Sequence, residues 1–197
     1  YKVTGVQTCA LPIFSAEAES LGAELAARSN LDATYVRLSA LSNNLSASIE
    51  LWADVVRNPA FAEEEIERLR GRRLAEIAQE QAQPLRLALR LLPPAIYGEK
   101  HAYGIPLTGS GTVESIQSLK RNDLVEFHNN WLNAGNATIY AAGDTSLEEL
   151  VPRLERAFRG WRADAKQPAK NVASVTLPDS PRIVRSEEHT SELQSPC

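Results

Sequence analysis

The chain has 197 residues, enough for one domain or two small ones with a sizeable core. At 43% hydrophobic, 23% charged and 6% aromatic residues, with a net charge of -4, its composition is that of a globular protein. The mild acidity is spread along the chain and argues against electrostatic capture of nucleic acid or of an anionic membrane. No apolar run approaches the roughly 20 residues of a membrane span, so no membrane insertion is expected. Met is absent and the chain opens on Tyr1, from which a fragment of a longer gene product is expected.

The two ends differ in character from the middle. Val3 to Ile13 reads VTGVQTCALPI and Arg185 to Ser195 reads RSEEHTSELQS. The two stretches resemble translations of a common sequencing-library adapter, one from each strand. Residues 1–13 and 185–197 are therefore expected to be artefact and stand outside fold reasoning. The remainder, Phe14 to Val184, carries 19 basic and 22 acidic residues. Cys9 and Cys197 both lie in the flanks, so this core offers no disulfide, thiol nucleophile or Cys-based zinc site. That absence suits bacterial periplasm and cytoplasm alike and decides neither.

In chain order, Ser15 to Ala27 is Ala- and Glu-rich with Leu21 and Leu25 four apart, which predicts a helix weakened at Gly22. Leu31 to Leu41 alternates, with Thr34, Val36, Leu38 and Ala40 on one face of a half-buried strand. Asn44 to Arg57 returns to helical spacing through Leu45, Ile49, Trp52 and Val56, and Asn58-Pro59 ends it. Glu63-Glu64-Glu65 opens a long helix in which acids complement the helix dipole. Its apolar stripe is Ile66, Leu69, Leu74 and Ile77, and it should stop at Pro84. Leu85 to Leu92 is helical and apolar nearly all round, with a stop at Pro93-Pro94.

Gly98 to Gly111 reads as a glycine-rich loop. Leu124, Phe127, His128 and Trp131 mark another helix. Ala137 to Ala142 predicts a strand, and Thr145 with Glu148 a capping box for a helix running to Phe158. Ala163 to Lys170 reads as a polar linker and Val172 to Leu177 as a weak strand. Separated strands and helices argue an α+β fold. The expected organisation is one α+β domain over 14–162, followed by a linker and the start of a further domain over 163–184.

The order of short marks along this core is distinctive. It runs Leu21-Gly22-Ala23, Asn58-Pro59-Ala60-Phe61, Ile66-Glu67-Arg68, Tyr97-Gly98, His101-Ala102-Tyr103-Gly104 and Gly109-Ser110-Gly111-Thr112. Asp123-Leu124, Phe127-His128, Asn136-Ala137-Thr138 and Gly143-Asp144 follow. Singly these marks are weak, but their order and spacing from Leu21 to Trp161 resemble the pitrilysin/insulinase family of zinc metallopeptidases, which includes mitochondrial processing peptidase. The resemblance implies an α+β half-molecule, an antiparallel sheet flanked by helices. Two such halves would enclose a chamber that admits extended peptides. It also implies a zinc site on an H-x-x-E-H helix, two histidines holding the metal and the glutamate serving as base on its water. A glutamate roughly 76 residues further on would supply the third ligand.

No H-x-x-E-H occurs in this sequence. Aligning Ile66-Glu67-Arg68 with the family pattern places Glu76 at the third-ligand position, with the histidine pair falling just before Tyr1. Glu76 therefore has two readings: a zinc ligand completed by residues upstream, or an exposed carboxylate near Arg72 and Arg73. Ser39-Ala40-Leu41, Ala78-Gln79-Glu80, Ala82-Gln83-Pro84 and Gly109-Ser110-Gly111-Thr112 resemble the second half of long bacterial members. Such halves usually lack the zinc motif and form the opposing chamber wall. A non-catalytic half is thus expected, inactive alone, with zinc confined to the catalytic half of the parent. Its partners would be that other half and extended peptide.

The alternatives are a non-enzymatic core subunit with the same fold, a truncated catalytic half with Glu76 as third ligand, and an unrelated α+β domain. His128 is expected to be a packed, hydrogen-bonded core residue, and His101 to order its loop. Gly109-Ser110-Gly111-Thr112 lacks the Lys-Ser/Thr of a phosphate-binding loop. Ser42, Ser46 and Ser110 lack the G-x-S-x-G setting of a serine hydrolase.

Overall fold

The computed structural model describes residues 16–163, 170–176 and 180. These fall into two compact units. One is drawn from residues 16–69 and 118–163, the other from 70–117 with 170–176. Both terminal stretches that resemble adapter, and most of the expected 163–170 linker, lie outside the described residues.

The first unit begins with a helical turn over residues 16–20, and the helix expected to reach Ala27 stops there. Gly22 adopts φ +62°, a left-handed conformation that glycine takes without penalty. The amides of Leu21, Gly22 and Ala23 bond back to the carbonyls of Glu17, Glu19 and Ala18, closing the turn. The chain then leaves as strand β1, Glu24–Ser29. The four-residue spacing of Leu21 and Leu25 therefore reflects two different elements.

Strand β2, Thr34–Ser39, pairs antiparallel with β1, Leu25 lying opposite Leu38 and Ser29 opposite Thr34. The connecting turn is made by Asn30, whose side-chain oxygen accepts from the amides of Asp32 and Ala33 at 2.9 and 2.8 Å. Asparagine closing its own turn in this way explains why the hairpin needs no glycine there. The predicted alternation holds in β2 for Val36 and Leu38, and just beyond it for Ala40, which turn away from solvent, whereas Thr34 is exposed.

Helix α1, Leu45–Arg57, carries most of this unit's core, with Ile49 and Ala53 only 2% exposed and Leu51 and Val56 also buried. The Trp52 indole donates to the Val36 carbonyl at 3.2 Å, anchoring the hairpin to the helix. Helix α2, Glu63–Ala82, starts on its three glutamates as expected and runs through the boundary between the units. Between α1 and α2, Phe61 holds φ +48°, uncommon for a bulky residue. Arg121 donates from Nε to the Phe61 carbonyl and from Nη2 to that of Ala60, which fixes the bend.

Helix α3, Pro84–Tyr97, extends five residues beyond the expected stop. Pro93 and Pro94 lie inside it, denying a helical donor to the carbonyls of Leu89 and Arg90. Proline's fixed φ is nevertheless helical, and burial of the Pro93 ring to under 2% exposure offsets the lost bonds. The helix ends where Gly98 takes φ +79° and its amide bonds to Pro94. A short helix α4, Val113–Ser118, follows the glycine-rich loop.

Helix α5, Arg121–Trp131, returns to the first unit; its Asp123 carboxylate accepts from the Lys120 amide at 2.7 Å. On its expected stripe, Leu124, His128 and Trp131 turn inward while Phe127 is exposed. Helix α6, Leu147–Ala157, packs on α1. Its cap is Ser146, which accepts from the Glu149 amide, so the expected capping box on Thr145 is displaced by one residue.

Two expected strands form no ladder among the described residues. Residues 137–142 belong to no strand and are exposed, Tyr140 to 90%, and 172–176 likewise belong to no strand. Their β-branched and aromatic residues favour extension, but a strand also requires a hydrogen-bonded neighbour. The α+β class stands, its sheet among the described residues being the antiparallel β1–β2 pair.

Candidate functional site

Glu76, the one residue with an expected role toward a metal, lies on the second-unit part of α2 with its side chain 43% exposed. Its Oε2 meets Arg73 Nη1 at 3.0 Å and its Oε1 meets Arg72 Nε at 3.6 Å. Both carboxylate oxygens thus face guanidinium cations, one turn or less away on the same helix. Among the described residues, no group of three or more His, Cys, Asp or Glu side chains is placed to hold a metal ion. A zinc ion at Glu76 would have to displace Arg72 and Arg73 from its two oxygens. As pairs this exposed, the two contacts contribute about 0–1 kcal/mol each.

The histidines take the places expected of them. His128 donates from Nε2 to the Val56 carbonyl at 2.7 Å and meets the Phe61 ring edge-on at 5.8 Å. His101 stacks on Tyr97 in the glycine-rich loop, with ring centroids 5.0 Å apart. Neither lies within the same unit as the other, and neither has a carboxylate partner among the ion pairs described.

The principal polar constellation is one that sequence reasoning missed. Glu80 and Arg90 are both buried in the second unit, Oε2 to Nη1 at 2.6 Å. Ser110, 1% exposed, donates to the same Glu80 oxygen at 2.8 Å, and Thr108 reaches it at 3.4 Å. Arg90 also donates to the Gly111 carbonyl through Nη2 at 2.7 Å. Two helices and the Thr108–Gly111 turn are therefore tied at one point. Burial pushes the Glu80 carboxyl up, but bonds from Ser110, Arg90 and Thr108 outweigh it and hold the group below the usual carboxylate range. A sequence signal existed: Glu80 follows buried Ile77 by three residues, and Arg90 follows buried Leu87 by three. A charge on the buried stripe of each of two successive helices calls for a partner.

What this constellation can do chemically is hold structure. Oε2 of the carboxylate takes the bonds from Arg90, Ser110 and Thr108, and the residue is withdrawn from solvent. Among the described residues, a cavity of about 230 Å³ in the first unit, beside the start of α6, is lined by Ala141, Ala142, Gly143, Thr145, Ser146, Leu147 and Leu150. It contains no titratable side chain. Among the described residues, no helix is long and apolar enough to cross a membrane.

Comparison with solved structures defines the class. A peptidase M16 inactive domain from Pseudomonas fluorescens superposes with a TM-score of 0.70 at 24% identity, covering 87% of this chain and 40% of that one. A protease from Helicobacter pylori gives the same TM-score at 20% identity, over 83% and 39%. The fold is thus that of M16 peptidase domains.

The insulinase (peptidase family M16) model matches residues 11–110, and the model of the peptidase M16 inactive domain matches residues 118–194. The chain belongs to the insulinase family, peptidase family M16. It is similar to an uncharacterized zinc protease of Rickettsia bellii, 29% identical over 85% of this chain and 41% of the relative. The beta subunit of human mitochondrial-processing peptidase is 30% identical over 68% and 27%. Bovine cytochrome b-c1 complex subunit 1 is 30% identical over 73% and 29%. The chain therefore spans between about a quarter and two fifths of the length of these relatives.

Proposed function

We propose that this chain is part of the non-catalytic half of an M16 zinc metallopeptidase, where it forms one wall of the peptide chamber and helps bind extended substrate. The observation that carries the reading is the pairing of both Glu76 oxygens with Arg72 and Arg73, which engages the third-ligand position in an exposed ion-pair cluster. The similarity of residues 118–194 to the M16 inactive domain supports it. On this reading the zinc, its histidines and the general base belong to the partner half. This half supplies shape, and Glu76 takes no part in the chemistry.

The test is reconstitution with an H-x-x-E-H half from a close bacterial relative. The chain alone should leave a fluorogenic peptide uncut, and the pair should cut it. Glu76→Gln in this chain should leave the rate of the pair within about twofold, since an exposed ion pair contributes little. Loss of most activity in that variant would contradict the reading and place Glu76 at the metal.

A second reading, a non-enzymatic core subunit with the same fold, is supported by the similarity to cytochrome b-c1 complex subunit 1. It requires that the pair assemble without cleaving peptide.

A further inference from the structure

Helix α3 buries one side and leaves an apolar stripe on the other. Leu87, Arg90 and Pro93 are buried, whereas Leu85, Leu89, Leu92 and Ile96 are 74%, 37%, 49% and 42% exposed. Spacings of four, three and four keep these four side chains within about 60° of one another around the helix axis. That is the spacing of a coiled-coil seam. The buried Pro93 and half-buried Pro94 fall outside it. Arg86 is the one charged residue on the exposed side of α3, because Arg90 turns inward to Glu80.

A continuous apolar stripe of this kind, left in water, marks an interaction surface. Two of its features select the occupant. The spacing reads the same from either end, so the stripe is complementary to its own reverse. A copy of the helix laid antiparallel on it brings Leu85 to Ile96 and Leu89 to Leu92, each contact made twice as a two-fold axis requires. The charges agree with that order. Arg86 comes to the C-terminal end of the other helix, where the terminal carbonyls carry partial negative charge and Glu99 stands just past Gly98. In a parallel pair Arg86 would instead face Arg86.

We propose that this seam docks a second copy of the same chain, α3 against α3 in antiparallel order. On the opposite side of α3, the bonds among Glu80, Arg90 and Ser110 hold the helix from behind, so the seam is presented preformed. The stripe with its flanks covers roughly 500 Å² per copy, and the resulting total of about 1,000 Å² falls in the range of transient contacts. The dimer is therefore weak, with a dissociation constant on the order of 10 µM.

The experiment is sedimentation velocity on the whole chain from about 1 to 300 µM, a range that brackets the expected constant. The average mass should rise with concentration from one copy toward two and stop there. Leu92→Glu sets a charge in the seam and should weaken association by about tenfold or more, with the helical signal in circular dichroism unchanged. Leu85→Glu, at the most exposed of the four positions, repeats the test should Leu92→Glu unfold. Arg86→Glu should weaken the dimer about fivefold, and adding Glu99→Arg should restore it, which singles out the antiparallel order. A chain that stays monomeric throughout would overturn the proposal and leave the stripe to another segment of the parent protein. A dimer indifferent to both leucine variants, growth beyond two copies, or no rescue by Glu99→Arg would overturn it as well.

Discussion

The two units of this chain solve the same problem by different chemistry. The first buries aliphatic residues of α1 and α6, Ile49, Ala53, Val56 and Leu150. Around them, single side-chain donors are spent on backbone carbonyls: Trp52 on Val36, Arg57 on Ala157, and His128 on Val56. Trp52, Phe158 and Trp161 add edge and tilted ring contacts at 5.2 Å. The second unit buries Ile77, Leu87 and Pro93 and ties them with an ion pair and two hydroxyls. An apolar core tolerates loss of part of a side chain in proportion to the volume removed. A buried charge pair fails when either member goes, because the survivor is left unpaired.

The sharpest way to break this contrast is Arg90→Met. It strands the Glu80 carboxylate and should cost about 3–5 kcal/mol in urea unfolding, whereas Glu80→Leu with Arg90→Met together should recover most of that loss. A single-variant cost below about 1 kcal/mol would show that the pair does not hold the second unit. Ile49→Ala, the matching test in the first unit, should cost about 2–5 kcal/mol with no charge-paired rescue available.

Acid gives a smaller and more selective effect. Since Glu80 is held below the usual carboxylate range, its contribution is complete above the ordinary glutamate pKa and is lost as pH falls through the lower folded value. Exchange protection across Thr108–Gly111 should therefore drop under strongly acidic conditions in the wild type and show no such step in Glu80→Gln. The smallest expected effect belongs to Glu76→Gln. It breaks two exposed pairs and should change unfolding free energy by less than about 1 kcal/mol.

Legibility in the sequence followed the range of the interactions. α1, α2 and α5 were readable because apolar spacing, acidic first turns and Asn58-Pro59 act within a few residues. The β2 alternation was readable for the same reason. The expected helix across Ser15–Ala27 failed because Gly22 turns the chain and β2 recruits Leu25 from 13 residues away. The stop at Pro93-Pro94 failed because ring burial, a tertiary effect, outweighed the local rule. Residues 137–142 carry the composition of a strand, yet no composition supplies a neighbouring strand.

At the candidate site, Glu76 lies beside Arg72 and Arg73, as their spacing on one helix implies, and the order of short marks led to the family that the comparisons establish. The Glu80–Arg90 pair stayed hidden because its third member, Ser110, arrives from a loop 20 residues beyond Arg90.

The central proposal, that this is a non-catalytic half, is tested most directly by sequencing the parent gene on the 5′ side of the codon for Phe14. The account predicts no H-x-x-E-H at roughly 76 residues before Glu76. An H-x-x-E-H at that distance would contradict it, making this chain the distal part of a working zinc site and Glu76 its third ligand.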